Sequence, residues 1–285
     1  MSPPSRLWSI LVVLVGSVFM LAPLAFVVIN SFNASAVSQF PPTSWSTKWY
    51  REALDNDSFR RGIWLSARVA LASAVLTIAA GLAAAHALTR ISRRIGAVTL
   101  AVVNAPLSMP KIVVGLSGLI GFLTVRSWIP AIEGVLDGPV TLVLLHSAMT
   151  LPFAIAILIA ALEATDRRLT DAGRDLGATR LATFWTVTVR TIAPSVAVAF
   201  VFSFMLSFDE LEASLFMASV TGNTLPVEMF LYLETRVDPS LAALSTLLLA
   251  LTGVLLLLGS RVARVTDQVT GVSTTGSMTG GGDRG

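Results

Sequence analysis

Long apolar runs separated by short polar, arginine-bearing stretches dominate this chain. Six of them, at 7–29, 63–88, 97–124, 139–162, 193–219 and 240–262, exceed the ~20 residues that cross ~30 Å of hydrocarbon at 1.5 Å per residue. The pattern predicts an all-α fold, a polytopic membrane bundle of six transmembrane helices over residues 1–270. The tail 271–285 is rich in Gly, Ser and Thr, lacks apolar periodicity and is expected to be disordered. Arg6 ahead of the first run and Ala34-Ser35-Ala36 after it imitate a signal peptide. A run reaching from Leu7 to Ile29 is longer than a signal core of about 7–15 residues, so an uncleaved first span is expected.

Arginine and lysine orient the bundle. With both termini in the cytoplasm, twelve basic residues fall inside (Arg6; Arg90, Arg93, Arg94; Arg167, Arg168, Arg174, Arg180, Arg190; Arg261, Arg264, Arg284). Six fall outside: Lys48, Arg51, Arg60, Arg61, Arg126 and Arg236. The positive-inside rule favours that orientation. The outer loop 30–62 carries Pro41-Pro42, Trp45, Trp49 and Tyr50, aromatics suited to anchoring at the membrane interface. The outer segment 221–239 suits a short helix that either meets an extracytoplasmic solute-binding protein or lies in the interface.

Composition sharpens the picture. Of the 285 residues 54% are hydrophobic and 13% charged, about half the charge of a soluble domain. The net charge of +3 reads as basic loops, with no nucleic acid implied. The absence of cysteine excludes disulfides and thiolate metal sites. His86 and His146 lie in apolar spans without a ligand cluster, where packing or hydrogen bonding is the expected role. No Gly-Lys dipeptide occurs, hence no phosphate-cradling Walker A loop. No nucleophile–base pair stands out, and no cofactor or metal is expected on this chain.

The polar island 163–190 is the densest signal. Thr170 is placed to cap a helix carrying Asp171 in its first turn, with Leu169, Ala172 and Leu176 on one stripe. Glu163 and Arg167 form an i,i+4 pair extending the fourth span. Gly177 is expected to stop the short helix in a left-handed conformation. A second helix with Leu181, Phe184, Trp185 and Val187 follows, and Pro194 opens the next span. An amphipathic loop on lipid headgroups and a docking surface for a soluble partner both fit.

Charges at membrane depth are the other signal. Asp209, Glu210 and Glu212 fall late in the fifth span, where carboxylates cost up to about 2.5–3.5 kcal/mol each and need a cavity or a cation. On a continuous helix Asp209 and Glu212 share a face and Glu210 points elsewhere. Two readings stay open: a polar lining for a cationic solute, or an ion pair with Arg68 or Lys111, or interfacial exposure, of purely structural meaning. For Arg68 and Lys111 a structural role is expected.

Asp171-Ala-Gly-Arg-Asp-Leu-Gly-Ala-Thr with Phe184, Val187 and Pro194 resembles the Glu-Ala-Ala loop of ABC importer permeases. Trp45, Trp49-Tyr50, Pro106, Pro110 and Gly115, Ser207-Phe208-Asp209-Glu210, Thr224-Leu225-Pro226-Val227 and Asp238-Pro239 resemble the spermidine/putrescine type, from about residue 7 to 262. That resemblance implies a type I permease fold and an inner-membrane location. It also implies docking of an ATP-binding subunit through Asp171, Ala172, Gly173, Asp175, Leu176, Gly177, Ala178 and Phe184. ATP and magnesium would sit on that ATPase dimer. A second permease, a periplasmic solute-binding protein and membrane lipid would complete the partners. The chain departs from the family at Asp171 (shorter than Glu), Gly173 (for Ala) and Val189-Arg190 (for Leu-Pro). A polyamine is the expected solute, ahead of other small organic solutes and ferric iron. The rivals are an ion-gradient-driven carrier using Asp209, Glu210 and Glu212, and a polytopic membrane enzyme.

Overall fold

The computed structural model describes residues 6–36, 40–129, 139–236 and 238–270. The expected disordered tail 271–285 lies outside these. Regular structure among the described residues is helical, apart from an isolated bridge between Asn33 and Trp45. Among the described residues five helices are long and apolar enough to cross a membrane, six if one bent pair counts as a span. Contacts divide the chain into two compact units, Met1–Trp64 with Leu225–Gly253, and Leu65–Thr224 with Val254–Gly285.

The first unit begins with α1 (Arg6–Ser31), whose side chains are exposed through most of its length. An apolar helix left bare on every side has lipid or protein as its solvent. The loop after it is tied inward. The Trp49 indole donates to the Asn33 carbonyl at 2.6 Å, and the Ser31 and Tyr50 hydroxyls bond at 2.7 Å. Trp49 is 5% exposed and Trp45 67%, so only Trp45 keeps the surface expected of an interfacial anchor. Trp49 and Tyr50 instead close the turn into α2 (Lys48–Asp55), because a buried indole N–H needs an acceptor. The segment 221–239 does form a short helix. Ahead of it comes the start of α3 (Asp57–Leu88), whose Phe59 ring meets Tyr232 with centroids 5.0 Å apart.

The second unit contains the rest of α3, then α4 (Arg93–Asn104), α5 (Lys111–Trp128), α6 (Pro139–Ala164), α7 (Arg167–Asp175) and α8 (Arg180–Thr191). It continues through α9 (Ala193–Phe208) and α10 (Glu212–Thr221). The short helix within 221–239, in the first unit, is α11 (Leu225–Thr235), and α12 (Ser240–Thr270) ends the described chain.

Two expected spans are broken. The run 97–124 divides into α4, a tight turn at Ala105–Ser108 and α5. Pro110 forces Met109 into an extended conformation (φ −101°, ψ 147°) and caps α5 with its own φ of −55°. The run 193–219 stops at Phe208 and restarts at Glu212, and α8 meets α9 at a 73° bend ahead of Pro194. Proline lacks the amide for a helical bond and crowds the carbonyl four residues back.

Packing between α3, α6 and α9 buries Ile78, Leu82, Ala154, Leu158 and Ala199. With little hydrophobic drive between helices in lipid, small residues and polar ties hold such contacts. Thr77 and Thr150 bond side chain to side chain at 2.8 Å, and Ser147 donates to the Ser73 carbonyl at 3.3 Å. Against α10, α5 comes so close that a Cβ on Gly115 would stand 2.6 Å from the Ala213 Cα and 2.8 Å from its carbonyl oxygen. Backbone cannot yield as a flexible side chain does. Gly115→Ala should therefore cost about 1–3 kcal/mol of unfolding free energy in micelles, the range of overpacked sites. Gly121→Ala on the same helix, with nothing within 4 Å, should be near neutral. Equal stability of the two variants would contradict the close packing.

Candidate functional site: a glycine-turned helical hairpin and a cavity at two helix breaks

The polar island is a hairpin of two short helices. Asp166 starts it, its carboxylate accepting the Arg168 amide at 2.9 Å. The cap is therefore Asp166, and Thr170 sits inside α7: an aspartate just past the end of α6 meets the free amides first. Because α6 stops at Ala164, Glu163 and Arg167 belong to different helices and the expected i,i+4 spacing does not apply. Gly177 takes φ +85°. Its amide bonds the Arg174 carbonyl at 2.8 Å and the Ala178 amide reaches back to the Gly173 carbonyl at 3.2 Å. That reciprocal pair is a Schellman ending with glycine at C′.

Thr179 then caps α8, accepting the Ala182 amide at 3.2 Å. Within α8 a wide turn at Phe184–Thr188 lets the Val189 amide reach the Phe184 carbonyl five residues back. Phe184 anchors the hairpin, with its ring edge-on to His86 at 4.6 Å and packed against the α3/α6/α9 core. Gly173 faces the second helix: a Cβ there would meet Thr183 Cγ2 and Val187 Cγ2 at 3.4 Å each.

Of the residues expected to dock a partner, Asp171, Ala172, Asp175, Leu176 and Gly177 are exposed, while Gly173, Ala178 and Phe184 are half-buried. Leu176 is 90% exposed at the hairpin tip, with Leu181 at 67% and Trp185 at 56% along the second helix. Behind the hairpin lies a cavity of about 610 Å³ whose charged lining is His86, Arg90, Glu163, Asp166, Asp171 and Arg174.

The three acidic residues of the fifth span part company. Asp209 ends α9, Glu210 lies in the break and Glu212 begins α10, so Asp209 and Glu212 do not share the face of one continuous helix. Glu210 is buried. Its Oε2 accepts Lys111 Nζ at 2.9 Å and its Oε1 accepts the Ala213 amide at 3.2 Å. Of the two cations considered, it is Lys111 that pairs with Glu210, while Arg68 is exposed. The break has a physical cause. A carboxylate inside an apolar bundle needs donors, and the start of a new helix offers unpaired amides and a favourable dipole.

His146 holds the break from the other side. Its Nδ1 bonds the Ser207 hydroxyl at 2.8 Å and its Nε2 bonds that of Ser214 at 2.9 Å. Ser214 in turn donates to the Glu210 carbonyl at 2.8 Å. With that proton committed, Nε2–H donates to the Ser214 oxygen, and Nδ1 pairs with the Ser207 hydroxyl, so both ring nitrogens are used. The expectation of a hydrogen-bonded histidine holds, and the bonds clasp both flanks of 209–211. No short motif could reveal this, because the partners lie 61 and 68 residues away.

Lys111, Glu210, His146 and Thr150 share a cavity of about 260 Å³ with apolar walls that include Met149 and Phe153. Among the described residues no cluster of His, Cys, Asp or Glu could hold a metal ion.

A bundle with an arginine-flanked hairpin turned on glycine, and broken spans around a small apolar-walled cavity that holds the Lys111–Glu210 pair, suits a membrane permease. The family model for the binding-protein-dependent transport system inner membrane component matches residues 77–270, and the chain belongs to that family. It is a multi-pass permease subunit of an ABC importer. It is 33% identical over 250 residues to the putrescine transport system permease protein PotI of Escherichia coli (strain K12), covering 87% of each chain. It is 28% identical to the spermidine/putrescine transport system permease protein PotC of that strain, over 86% of this chain and 90% of the relative. Among solved structures, a bacterial ABC transporter that imports the acidic polysaccharide alginate superposes with a TM-score of 0.64. That match has 14% identity and covers 93% of this chain and 97% of the other. Nothing observed supports the carrier or the membrane enzyme.

Gly173 tests the hairpin geometry. Alanine fits at van der Waals distance and removes a helix-interior glycine, so Gly173→Ala should slow amide exchange over residues 171–178, equivalent to roughly 0.5–1 kcal/mol. Gly173→Leu should speed it by forcing the helices apart. Unchanged exchange in both would mean that the two helices do not pack through Gly173.

Proposed function

We propose that this chain forms half of the translocation path of an ATP-driven polyamine importer, with both termini in the cytoplasm. The single observation that carries the coupling role is Leu176, 90% exposed on a tip whose backbone Gly177 and two reciprocal hydrogen bonds hold fixed. An apolar side chain presented at the tip of a rigid, charged hairpin, with Leu181 and Trp185 exposed beside it, suits a cleft on a soluble partner. The arginine asymmetry of the loops supports placing this hairpin in the cytoplasm.

In this reading an ATP-binding-cassette dimer, holding ATP and magnesium, docks on the hairpins of this chain and of a second permease. Asp171, Ala172, Asp175 and Leu176 form the contact, Gly177 and Ala178 set its shape, and Phe184 passes the movement through His86 to α3. Closure of the ATPases draws the hairpins together and reorients the spans. A periplasmic binding protein delivers the solute from outside. Polyamine is favoured as the solute because the relatives PotI and PotC are permeases of putrescine and spermidine systems. The carboxylates Asp209, Glu210 and Glu212 supply the charge that a polycation requires.

The test combines affinity purification from mild detergent with uptake of labelled putrescine and spermidine in cells. The wild type should bring down a Walker-containing ATPase and a second permease. Gly177→Val, which forces a branched residue into a left-handed backbone, and Leu176→Asp should keep the second permease. Both should lower uptake by about 5- to 150-fold, the span of ordinary coupling free energies. Normal uptake by Gly177→Val would remove the coupling assignment. Normal uptake of some other solute with no polyamine uptake would remove the cargo assignment alone.

A further inference from the structure

The pairing of Lys111 with Glu210 is uneven. The Glu210 side chain is 5% exposed and the Lys111 side chain 52%, so one partner is locked in the protein and the other stands half in the open. Glu210 is held at its side chain and at its backbone. The Ala213 amide binds Oε1, the Ser214 hydroxyl binds the Glu210 carbonyl, and His146 pins Ser207 and Ser214 on either side. Among the described residues nothing comparable restrains the lysine, which hangs from the first residue of α5 on four methylenes. It also sits at the positive end of that helix, where its charge is unfavourable without Glu210.

We infer that Glu210 is an exchange site for primary alkylammonium groups, with Lys111 as the tethered occupant that an incoming amine displaces. Lysine is itself a butylammonium. A position that accepts its Nζ at 2.9 Å has the size, charge and acceptor of a site for any primary amine. The cavity of about 260 Å³ continues the chemistry, with Met109, Met149, Phe153 and Leu206 offering apolar wall to a short alkyl chain.

Exchange also keeps the charges balanced. A buried carboxylate that loses its partner is strongly destabilising, so the site cannot stand empty. Lys111 covers it until an amine arrives. Asp209 and Glu212, both exposed, act electrostatically on Lys111 and can receive its ammonium once it is displaced. One cation replaces another at Glu210 while the lysine moves to the acidic pair. Glu210 is then the amine-binding group, His146 a positioning residue, and Lys111 the competitor that keeps retention weak.

This rests on the permease reading but not on which solute is carried, and the experiment separates the two. The complex is placed in lipid nanodiscs and its thermal stability is followed against butane-1,4-diamine, with tetramethylammonium, which has no N–H, as the control. The wild type should show a saturable shift with the diamine and none with the control. A tethered competitor acts at an effective concentration on the order of mM, so Lys111→Met should reach half-effect at about tenfold lower diamine or less. Lys111→Arg keeps the charge but holds the carboxylate with a two-pronged donor, and should need about tenfold more. Glu210→Gln should abolish the saturable response.

Identical half-effects in the wild type and both Lys111 variants would overturn the exchange, as would a surviving response in Glu210→Gln or none in the wild type. Should Lys111→Met fail to assemble, the Lys111→Arg comparison decides alone. Putrescine uptake is measured in parallel. Absent uptake with intact diamine binding removes only the polyamine cargo, and intact uptake with unshifted Lys111 variants removes only the exchange.

Discussion

A carboxylate inside an apolar bundle must find donors, and Glu210 is where that requirement reshapes the chain. Left on a continuous helix it would have faced its neighbours with every nearby amide already committed to the helix ladder. Breaking the fifth span at 209–211 frees the Ala213 amide for one oxygen, and Lys111 supplies an ammonium to the other. Lys111 can reach it because Pro110 starts α5 afresh. The two breaks, the close passage of Gly115 against Ala213 and the clasp of His146 on Ser207 and Ser214 surround the same carboxylate. Irregular backbone at this depth is tolerated because it is covered by protein or lines a cavity.

The hairpin obeys a different constraint. Here water is available and the difficulty is rigidity, since a nine-residue helix has marginal stability alone. Its two ends are closed by local bonds, Asp166 at the start and the Gly177 ending at the other, and its middle packs Gly173 onto Thr183 and Val187. Phe184 joins this small body to the core through His86. In the proposed coupling, a movement imposed on the exposed tip would pass through this stiff element into α3, where a flexible loop would absorb it.

These two regions express one division of labour. The tip shows a leucine on a fixed frame, as a docking element should. In the exchange we infer, the cavity pairs a half-exposed cation with a buried anion, so that an amine held there can also be released. Each region places one mobile or exposed group on a rigid support.

Much of this was legible in the chain itself. Apolar run lengths, arginine placement and the glycine-stopped polar island come from local physics: the thickness of a bilayer, the positive-inside bias and the absence of a Cβ. They yielded the helical bundle, the hairpin and the left-handed turn at Gly177. Local pattern failed where long-range partners intervened. Hydropathy counts Asp209-Glu210-Leu211 as a brief polar interval in a span, and periodicity puts Asp209 and Glu212 on one face. The break follows from Lys111 and His146, 99 and 64 residues away in the chain. Likewise Trp49 reads as an interfacial anchor until Asn33 is found beside its indole. Composition and period set which segments are helices, because those bonds close within four residues. Only the tertiary structure decided where the helices stop and which charge meets which, because a buried polar group takes its partner from whatever element is packed against it.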